Sequence, residues 1–278
     1  MKKIITILLF SILLMGCSQK NNTNINTFYE DKGITFSLPS NYYLDDDGIY
    51  IVNFEDGKLN TVGHMHLKEY GSEEDYQKSR KELDSRLGEY IDELDAYYLR
   101  NSIGSSIYDG YSFFNDDRLN WLQISFVDQD EEIVNTIIKT IDVNAEIKEN
   151  EKTTIDYFFS NEWNDYKYNS FNMSLPNNIY LSDISGSTDI FIRQDNNFKR
   201  IGTLYLDEFT EKIFDYYKDV SPSGPRIQLT DNIYKDDSVR SIYSLINYDK
   251  RTISNIEFFI DIDNDFEKQF LDSISFNK

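Results

Sequence analysis

The sequence predicts an α+β fold made of two similar tandem domains, each a mainly antiparallel β-sheet with helices packed on it. The chain has 278 residues, which suits two domains of ordinary size. Hydrophobic residues make up 40% of the sequence and aromatic residues 15%, so there is enough apolar material for two packed cores. The same order of strand-like and helix-like segments occurs in both halves, which predicts an internal duplication.

Residues 1–16 have the pattern of a cleaved signal peptide. Lys2 and Lys3 precede an apolar run over residues 4–15. A helix of that length reaches about 18 Å, which is short of the roughly 30 Å hydrocarbon core of a membrane. We therefore predict a leader that is removed, rather than a membrane-spanning helix.

The end of this leader resembles the lipobox of bacterial lipoproteins, in the residues Leu14-Met15-Gly16-Cys17. The resemblance implies cleavage after Gly16 and acylation of the Cys17 thiol. Met15 departs from the small or β-branched residues that are commoner at its position. Two or three acyl chains on one residue hold a protein stably on a membrane. The implied location is the extracytoplasmic face of the cell membrane, with the membrane as a partner through the lipid on Cys17.

The chain after the lipidated cysteine divides into four parts. Residues 17–27 are polar without an apolar period, and we predict a flexible tether there. Residues 28–148 form the first predicted repeat and residues 155–278 the second. The polar stretch 149–154 between them is the predicted linker. Cys17 is the only cysteine, so the mature chain is predicted to have no internal disulfide and no cysteine-based zinc site.

The duplication is predicted from segments that match in the same order in both halves. The clearest match is Ser37-Leu38-Pro39 with Ser174-Leu175-Pro176, inside longer similar stretches. Further matches pair 49–51 with 190–192, 62–63 with 201–202, 67–70 with 206–209 and 137–141 with 270–274.

Each half is predicted to contain the same elements in the same order. A strand with alternating apolar residues comes first and ends at a proline. Two strands, an amphipathic helix, three strands and a closing helix follow. In the first half we predict strands at 34–38, 49–54, 61–67, 96–102, 106–114 and 120–127, and helices at 72–91 and 133–141. In the second half we predict strands at 171–175, 189–193, 200–206, 226–230, 239–247 and 252–260, and helices at 207–220 and 266–274.

This pattern resembles the PsbP/Mog1-type fold, once in each half. The resemblance lies in the opening strands that end in Leu-Pro and in the closing helices that end in Lys139-Thr140-Ile141 and Asp272-Ser273-Ile274. That family includes photosystem subunits, a nuclear-transport cofactor and exported bacterial proteins. The resemblance therefore implies a binding or assembly role rather than one chemistry, and it transfers no functional residue to this chain.

The charge of the chain is strongly acidic, with 49 Asp and Glu against 28 Lys and Arg and a formal net charge of −21. A field of that sign repels nucleic-acid phosphates and anionic lipid headgroups. We therefore predict no nucleic-acid partner. Solubility is the simplest reason for such a charge, while cationic ligands and basic proteins are the partners that it favours.

Two sets of residues are candidate metal ligands. His64 and His66 would share one face of a strand, but a metal site usually needs a third ligand, so surface histidines are the preferred interpretation and a metal site is the alternative. Asp261, Asp263 and Asp265 begin like a calcium loop, as does a matching set in the first half, Asp128, Asp130 and Glu132. Neither set has the glycine or the final glutamate that such a loop needs, so helix capping is the preferred interpretation. Asp45-Asp46-Asp47-Gly48 is predicted to be a turn between strands, with an ion site as the alternative.

No catalytic motif occurs in the sequence: there is no nucleophile elbow, zinc-protease helix motif or phosphate-binding glycine loop. We therefore expect a non-enzymatic binding or assembly module for an envelope or secreted partner, without a cofactor. The alternatives are a lipoprotein that binds a cation or small solute, and an envelope enzyme of unrecognised type.

Overall fold

A computed structural model describes residues 24–29, 32–84, 88–103, 106–147, 155–168, 170–184, 186–208, 227–236 and 241–277. These residues lie mostly in antiparallel β-sheet, with two large sheets of seven strands each. The prediction of a two-domain, sheet-rich fold is thereby confirmed. The predicted leader, the lipobox with Cys17, the linker 149–154 and residues 209–220 of one predicted helix lie outside the described residues.

The N-terminal domain contains one seven-stranded sheet in the order β3-β4-β5-β9-β8-β7-β6. Strands β1 and β2 form a separate antiparallel pair beside it. The strands are β1 Asn24–Tyr29, β2 Ile34–Leu38, β3 Tyr42–Leu44, β4 Tyr50–Glu55, β5 Lys58–Glu69, β6 Glu89–Ile91, β7 Ala96–Ile103, β8 Ser106–Asn115 and β9 Asn120–Val127, and the helices are α1 Glu73–Asp84 and α2 Glu131–Ile138.

The C-terminal domain contains the second seven-stranded sheet, in the order β12-β13-β14-β18-β17-β16-β15. This is the same order as in the N-terminal domain. Strands β10, β11 and β19 form a small sheet beside it. The strands are β10 Trp163–Lys167, β11 Phe171–Pro176, β12 Ile179–Ile184, β13 Ser187–Gln194, β14 Asn197–Glu208, β15 Ile227–Thr230, β16 Ile233–Asp236, β17 Ser241–Asn247, β18 Thr252–Phe258 and β19 Ser275–Phe276, and the helix is α3 Asn264–Ser273.

Equivalent side chains make equivalent hydrogen bonds in the two domains. At the end of the closing helix, the Thr140 hydroxyl accepts from the Ser37 amide at 2.8 Å, and the Ser273 hydroxyl accepts from the Ser174 amide at 2.9 Å. Both hydroxyls also donate to a carbonyl three residues earlier in their own helix. Each closing helix is thereby tied to the opening strand of its domain, and the tie uses the residues that matched in the sequence.

The turns between the last two strands of each large sheet are also equivalent. The side-chain oxygen of Asn115 accepts from the Arg118 amide, and that of Asn247 accepts from the Lys250 amide, both at 2.9 Å. The amide groups of these asparagines donate to the carbonyls of Val143 at 2.6 Å and Asn277 at 2.7 Å. Both asparagines are buried, so these bonds satisfy polar groups that water does not reach.

The β4–β5 and β13–β14 hairpins correct one detail of the sequence alignment. Both hairpins contain a bulge, between Ile51 and Val52 in one and between Ile190 and Phe191 in the other. Ile51 therefore corresponds to Ile190, whereas the sequence match had placed it opposite Ile192. Short apolar runs slide by two residues without changing the alternation of their side chains, so sequence similarity alone did not fix this register.

Each domain has its own core, formed between the large sheet, the opening strand and the closing helix. In the N-terminal domain β2 contributes Ile34, Phe36 and Leu38, and α2 contributes Val134, Ile137 and Ile138. In the C-terminal domain β11 contributes Phe171, Met173 and Leu175, and α3 contributes Phe266 and Phe270. These are the alternating strand residues and most of the helix stripe that the sequence predicted.

The predicted helix at 72–91 is too long. Helix α1 ends at Asp84, and residues 89–91 form strand β6, which pairs with β7. A side chain at Gly88 would collide with the carbonyl oxygen of Tyr98, so this position allows a close approach of two backbones. The structure also differs from the prediction at the start of the corresponding helix in the second half. Strand β14 extends through residues 207 and 208, where that helix was predicted to begin.

The predicted tether also ends earlier than expected. Strand β1 begins at Asn24 and pairs with β2, so residues 24–27 belong to the first domain. Strand β10 pairs with β11 in the same way and was not predicted. Both strands contain asparagine, and β10 also contains an aspartate, residue types that are uncommon in strands. They form because β2 and β11 offer them free backbone groups. None of the described helices is both long and apolar enough to cross a membrane.

A third cluster of buried residues joins the two domains. It consists of Val52 and Leu59 from the β4–β5 hairpin and Phe191 and Phe198 from the β13–β14 hairpin. The bulges make Val52 equivalent to Phe191, and the hairpin turns make Leu59 equivalent to Phe198. The two domains thus meet through the same surface of each hairpin, and we call this cluster the domain interface.

Aromatic rings and a few polar bonds complete the domain interface. Phe54 packs edge-on against Tyr180 at 5.1 Å between ring centroids, and Arg193 lies 4.2 Å from the Phe54 ring centre. The amide of Thr61 donates to the Ser182 hydroxyl at 2.6 Å, and the amide of Asp46 donates to the Phe198 carbonyl at 2.8 Å.

Candidate binding cleft

An open cleft of about 680 Å³ lies in the N-terminal domain, between the β3–β5 edge of the sheet and the start of helix α2. We call it the N-terminal cleft. Amides, carboxylates and one tyrosine predominate among its side chains. It is lined by Pro39, Ser40, Asn41, Tyr42, Asn53, Glu55, Asn60, Val62, Gln129, Asp130, Glu132, Ile133 and Thr136.

The turn after strand β2 positions one wall of the cleft. Pro39 ends that strand, and its carbonyl accepts from the Tyr42 amide at 2.9 Å. The carbonyl of Asn41 accepts from the Phe54 amide at 2.9 Å, which fixes the turn to strand β4. The side chain of Asn41 is half-buried at the cleft wall.

Tyr42 links this wall to the opposite one. Its hydroxyl donates to the side-chain oxygen of Gln129 at 3.3 Å, and the side chain is buried. Burial raises the pKa of the Tyr42 hydroxyl, and the negative charges of Glu55 and Asp130 raise it further. The hydroxyl is therefore neutral at physiological pH and serves as a hydrogen-bonding group rather than as a base.

The lining of the N-terminal cleft is negatively charged. Glu55, Asp130 and Glu132 contribute carboxylates, and none of the described lining residues is a lysine or arginine. Asp130 is the N-cap of helix α2, where its side chain accepts from the Glu132 amide at 2.8 Å. Such a surface can bind main-chain amides through its asparagines and a cationic group through its carboxylates.

In the C-terminal domain the same place is covered by the chain itself. Asn178, which matches Asn41, donates to the Phe158 carbonyl at 2.8 Å and accepts from the Ser160 amide at 3.0 Å. The main-chain amide of the neighbouring Asn177 donates to the Glu162 carbonyl at 2.8 Å. Residues 157–163, which we call the cover segment, therefore cross a wall whose N-terminal counterpart is open among the residues that the structure describes.

Aromatic side chains hold the cover segment on the closing helix. Phe159 stacks on Phe266 with ring centroids 4.3 Å apart, and Trp163 lies 5.6 Å from the same ring. Lys199 lies 5.9 Å from the ring centre of Tyr157. Phe266 is equivalent to Ile133, and Lys199 is equivalent to Asn60. Ile133 and Asn60 both line the N-terminal cleft.

The predicted histidine pair lies outside this cleft, on strand β5. His64 is half-buried, and burial lowers its pKa, with a smaller effect from His66. His66 is exposed and packs edge-on against Trp121 at 6.1 Å. Within the described part of the chain, no three His, Cys, Asp or Glu residues are grouped as a metal site would need.

The acidic sets at the closing helices act as caps and turns. Asp263 is the N-cap of α3, where it accepts from the Phe266 amide at 2.7 Å, as Asp130 does in α2. Asp128 accepts from the Ile107 amide at 2.7 Å. Asp261 and Asp265 are exposed on either side of the α3 cap. Helix capping thus accounts for the middle carboxylate of each set, Asp130 and Asp263.

The Asp45 turn contains a buried carboxylate. One carboxylate oxygen of Asp45 accepts from the amides of Ile49 and Tyr50, both at 2.7 Å, while the other is buried without a hydrogen-bond partner. Burial raises the pKa of Asp45 to about 7 against the lowering effect of these two bonds, and the charges of Asp47 and Asp46 add to the rise. The sequence predicted the turn but not the burial.

The N-terminal cleft was not predicted from the sequence, although one signal was available. The Ser-Leu-Pro matches are followed by Asn41 in one half and Asn178 in the other. The aromatic cluster Tyr157-Phe158-Phe159 precedes only the second copy, whereas polar residues precede the first. Both halves therefore contain the wall asparagine, but only the second half has the aromatic residues that cover it. This difference indicates that the surface is covered differently in the two domains.

Comparison with known proteins gives no relative: no family model, curated protein or solved structure matches the chain. A functional assignment therefore comes from the residues and the fold of the chain itself. A distinctive feature is the difference between the two domains at the cleft, since the strand order of their two large sheets is the same.

Proposed function

We propose that this protein is a lipid-anchored, extracytoplasmic module that binds or assembles an envelope or secreted partner without catalysing a reaction. The single observation that carries the binding role is the N-terminal cleft, whose counterpart is filled by the chain's own cover segment. The lipobox-like residues Leu14-Met15-Gly16-Cys17 support the anchor. The net charge of −21 disfavours a nucleic-acid partner.

The PsbP/Mog1-type resemblance is part of this proposal. Each domain has an opening strand that ends in Leu-Pro and a closing helix that is bonded back to it through Thr140 or Ser273. A closing helix tied to an opening strand beside an antiparallel sheet supports the proposed kinship. Binding and assembly roles fit such a scaffold, because the paired domains hold the cleft on a rigid sheet edge.

The anchor is tested with Cys17→Ala in cells fed a labelled fatty acid. We expect the native protein to carry the label and to sediment with membranes, and the variant to lose both properties, because one thiol receives the lipid. Ser18→Ala is the matched control, and it should keep label and location. Label or membrane attachment that persists in Cys17→Ala would contradict the anchor.

The binding role is tested by photo-cross-linking on intact cells. A photoreactive residue that replaces Asn60 lies in the N-terminal cleft. One that replaces the equivalent Lys199 lies next to the Tyr157 ring of the cover segment and serves as the matched control. We expect the residue at position 60 to capture a discrete envelope or secreted protein and the residue at position 199 to capture none. If photoreactive residues across the surface of both domains capture no such protein, the binding role is wrong.

A further inference from the structure

We propose that the N-terminal cleft binds an extended segment of a partner protein that carries an aromatic side chain and a basic group. This inference rests on the proposed binding role and names the chemistry of the partner. It follows from a comparison of two equivalent walls in one chain: residues 157–163 cover one of them, and none of the residues that the structure describes covers the other.

The covered wall shows how the main chain of a ligand would be held. The side chain of Asn178 bonds to the Phe158 carbonyl and the Ser160 amide, so one asparagine binds the main chain of the cover segment at two positions. The carbonyl of Asn178 accepts from the Arg193 amide at 2.9 Å, and that of Asn41 accepts from the Phe54 amide at the same distance. The two asparagines are therefore fixed alike, and the Asn41 side chain faces the cleft with its amide available.

The floor of the N-terminal cleft has room for an aromatic ring. In the C-terminal domain the space above helix α3 is filled by Phe159, which stacks on Phe266. The residue equivalent to Phe266 is Ile133, a smaller side chain that is only partly buried. Val62 lies beside it in the same lining. Val62 is already buried in the core, so an aromatic side chain placed there would bury apolar surface mainly on the partly exposed Ile133, which favours binding.

The charge of the N-terminal cleft selects a basic group. Glu55 occupies the position of Gln194, and Asn60 occupies the position of Lys199. Each exchange makes the N-terminal cleft more negative by one charge than the covered wall. Asp130 and Glu132 are matched by Asp263 and Asp265, so the acidic background is common to both. A lysine or arginine in the ligand would therefore gain carboxylate partners that the cover segment does not need.

The chain's own N-terminal segment lacks the aromatic anchors. Asn24 of β1 pairs with Leu38, and Asn164 of β10 pairs with the equivalent Leu175. Counting back from these two residues, the positions of Phe159 and Trp163 correspond to Gln19 and Thr23. Neither is aromatic, so the sequence that precedes β1 does not repeat the features that hold the cover segment in place. We therefore assign the cleft to another chain.

The test measures binding of two fluorescent heptapeptides to the full-length protein in detergent. One is Lys-Phe-Phe-Ser-Asn-Lys-Trp, which is the cover segment with lysine at its first and sixth positions, and the other has glutamate at both. We expect the lysine peptide to bind roughly tenfold more tightly, since each charge reversal beside partly exposed carboxylates changes the affinity a few-fold. Replacing the second phenylalanine of the lysine peptide by alanine should weaken its binding by a similar factor.

Two substitutions place the peptide in the cleft. Asn41→Ala should weaken the lysine peptide roughly tenfold, because it removes the amide that binds the main chain. Glu55→Gln, which installs the residue of the covered wall, should reduce the preference for lysine over glutamate. Asn101→Ala, at an exposed position on β7 outside the lining, is the matched control and should change neither value.

Three outcomes would overturn the inference. The first is equal binding of both peptides or no binding at millimolar concentration, and the second is binding that Asn41→Ala does not alter. The third is binding that appears only after residues 18–23 are deleted, which would show that the chain's own N-terminal segment occupies the cleft. The proposed function is judged separately from these three outcomes. It stands if an envelope partner is cross-linked through other surfaces and Cys17→Ala loses membrane attachment.

Discussion

At the scale of single residues, Asp45 is the most unusual group in the described structure. It is fully buried, and only one of its carboxylate oxygens has hydrogen-bond partners. The equivalent residue in the C-terminal domain is Ser182, whose hydroxyl bonds to the buried Thr61 of the other domain. The loop of Asp45 also reaches the other domain, through the bond from the Asp46 amide to Phe198. A carboxylate at this position therefore imposes an electrostatic cost on a loop that helps to join the domains.

We predict that Asp45→Asn removes a pH dependence of stability. Because the pKa of Asp45 is raised to about 7, the folded state retains a proton between about pH 4 and 7 that the unfolded chain has lost. Stability is therefore highest below this window and falls as the pH rises through it. Asparagine keeps the accepting oxygen and does not ionise, so the variant should be more stable than the native protein at pH 8 by roughly 1–3 kcal/mol.

Urea unfolding from pH 4 to pH 8 measures this effect. The free-energy difference between the variant and the native protein should grow with pH and level off above about pH 7. Asp47→Asn changes an exposed carboxylate of the same loop and is the matched control. A difference that stays constant across the range would contradict a titrating Asp45.

At the scale of elements, the bulged hairpins β4–β5 and β13–β14 are the best-defined repeated units. Both turns begin with an aspartate at positive φ, Asp56 at 52° and Asp195 at 55°. Both bulges are followed by a glycine, Gly63 or Gly202, which faces the next strand so closely that a side chain would collide with the carbonyl of Ser125 or Glu257. The same two features, an aspartate at positive φ in the turn and a glycine next to the bulge, thus define the shape of both hairpins.

We predict that Gly63→Ala and Gly202→Ala each destabilise their own domain by about 1–3 kcal/mol, since the added methyl group forces two backbones apart. Thermal unfolding of the two variants should show losses of similar size. Gly71→Ala is the control, because nothing lies within 4 Å of an added methyl group there. A neutral Gly63→Ala or Gly202→Ala would mean that the strands can move apart without cost.

At the scale of the whole molecule, the domain interface decides whether the two sheets act as one body. Phe198 is fully buried and contacts Tyr43 at 5.2 Å and Phe54 at 5.6 Å between ring centroids. The salt bridge from Arg200 to the buried Asp189, at 2.7 Å, lies beside Tyr50, whose ring centre is 5.0 Å from the guanidinium. The interface therefore couples the cleft-bearing domain to its neighbour through apolar area and a few polar contacts.

We predict that Phe198→Ala weakens both domains. Loss of a buried phenylalanine costs about 3–5 kcal/mol, and part of this loss falls on the β4–β5 hairpin that it contacts across the interface. Hydrogen exchange should therefore rise in peptides from strands of both domains. Phe270→Ala, an equal truncation in the C-terminal core, is the control and should raise exchange in the C-terminal domain alone. Unchanged exchange in β4 and β5 of Phe198→Ala would show that the domains are not coupled.

Much of the architecture could be read from the sequence because it depends on local patterns. Alternating apolar residues in β2 and β11 and the apolar stripes of α2 and α3 identified the strands and helices that enclose each core. The similarity of the two halves predicted two sheet-rich domains. Helix capping by Asp130 and Asp263 was also predictable, since a cap depends on residues within one turn of the helix.

Features that depend on distant contacts could not be read in this way. The end of α1 near Gly88 is set by the approach of Tyr98, and β1 and β10 exist because a neighbouring strand offers hydrogen bonds. The burial of Asp45 and the cover over Asn178 arise from segments that meet only after folding. Sequence by itself thus determined the elements that enclose each core and their duplication, because periodicity is a local property. Tertiary structure alone decided that residues 157–163 pack across the Asn178 wall, while no described residue packs across the Asn41 wall, because that depends on contacts between distant segments.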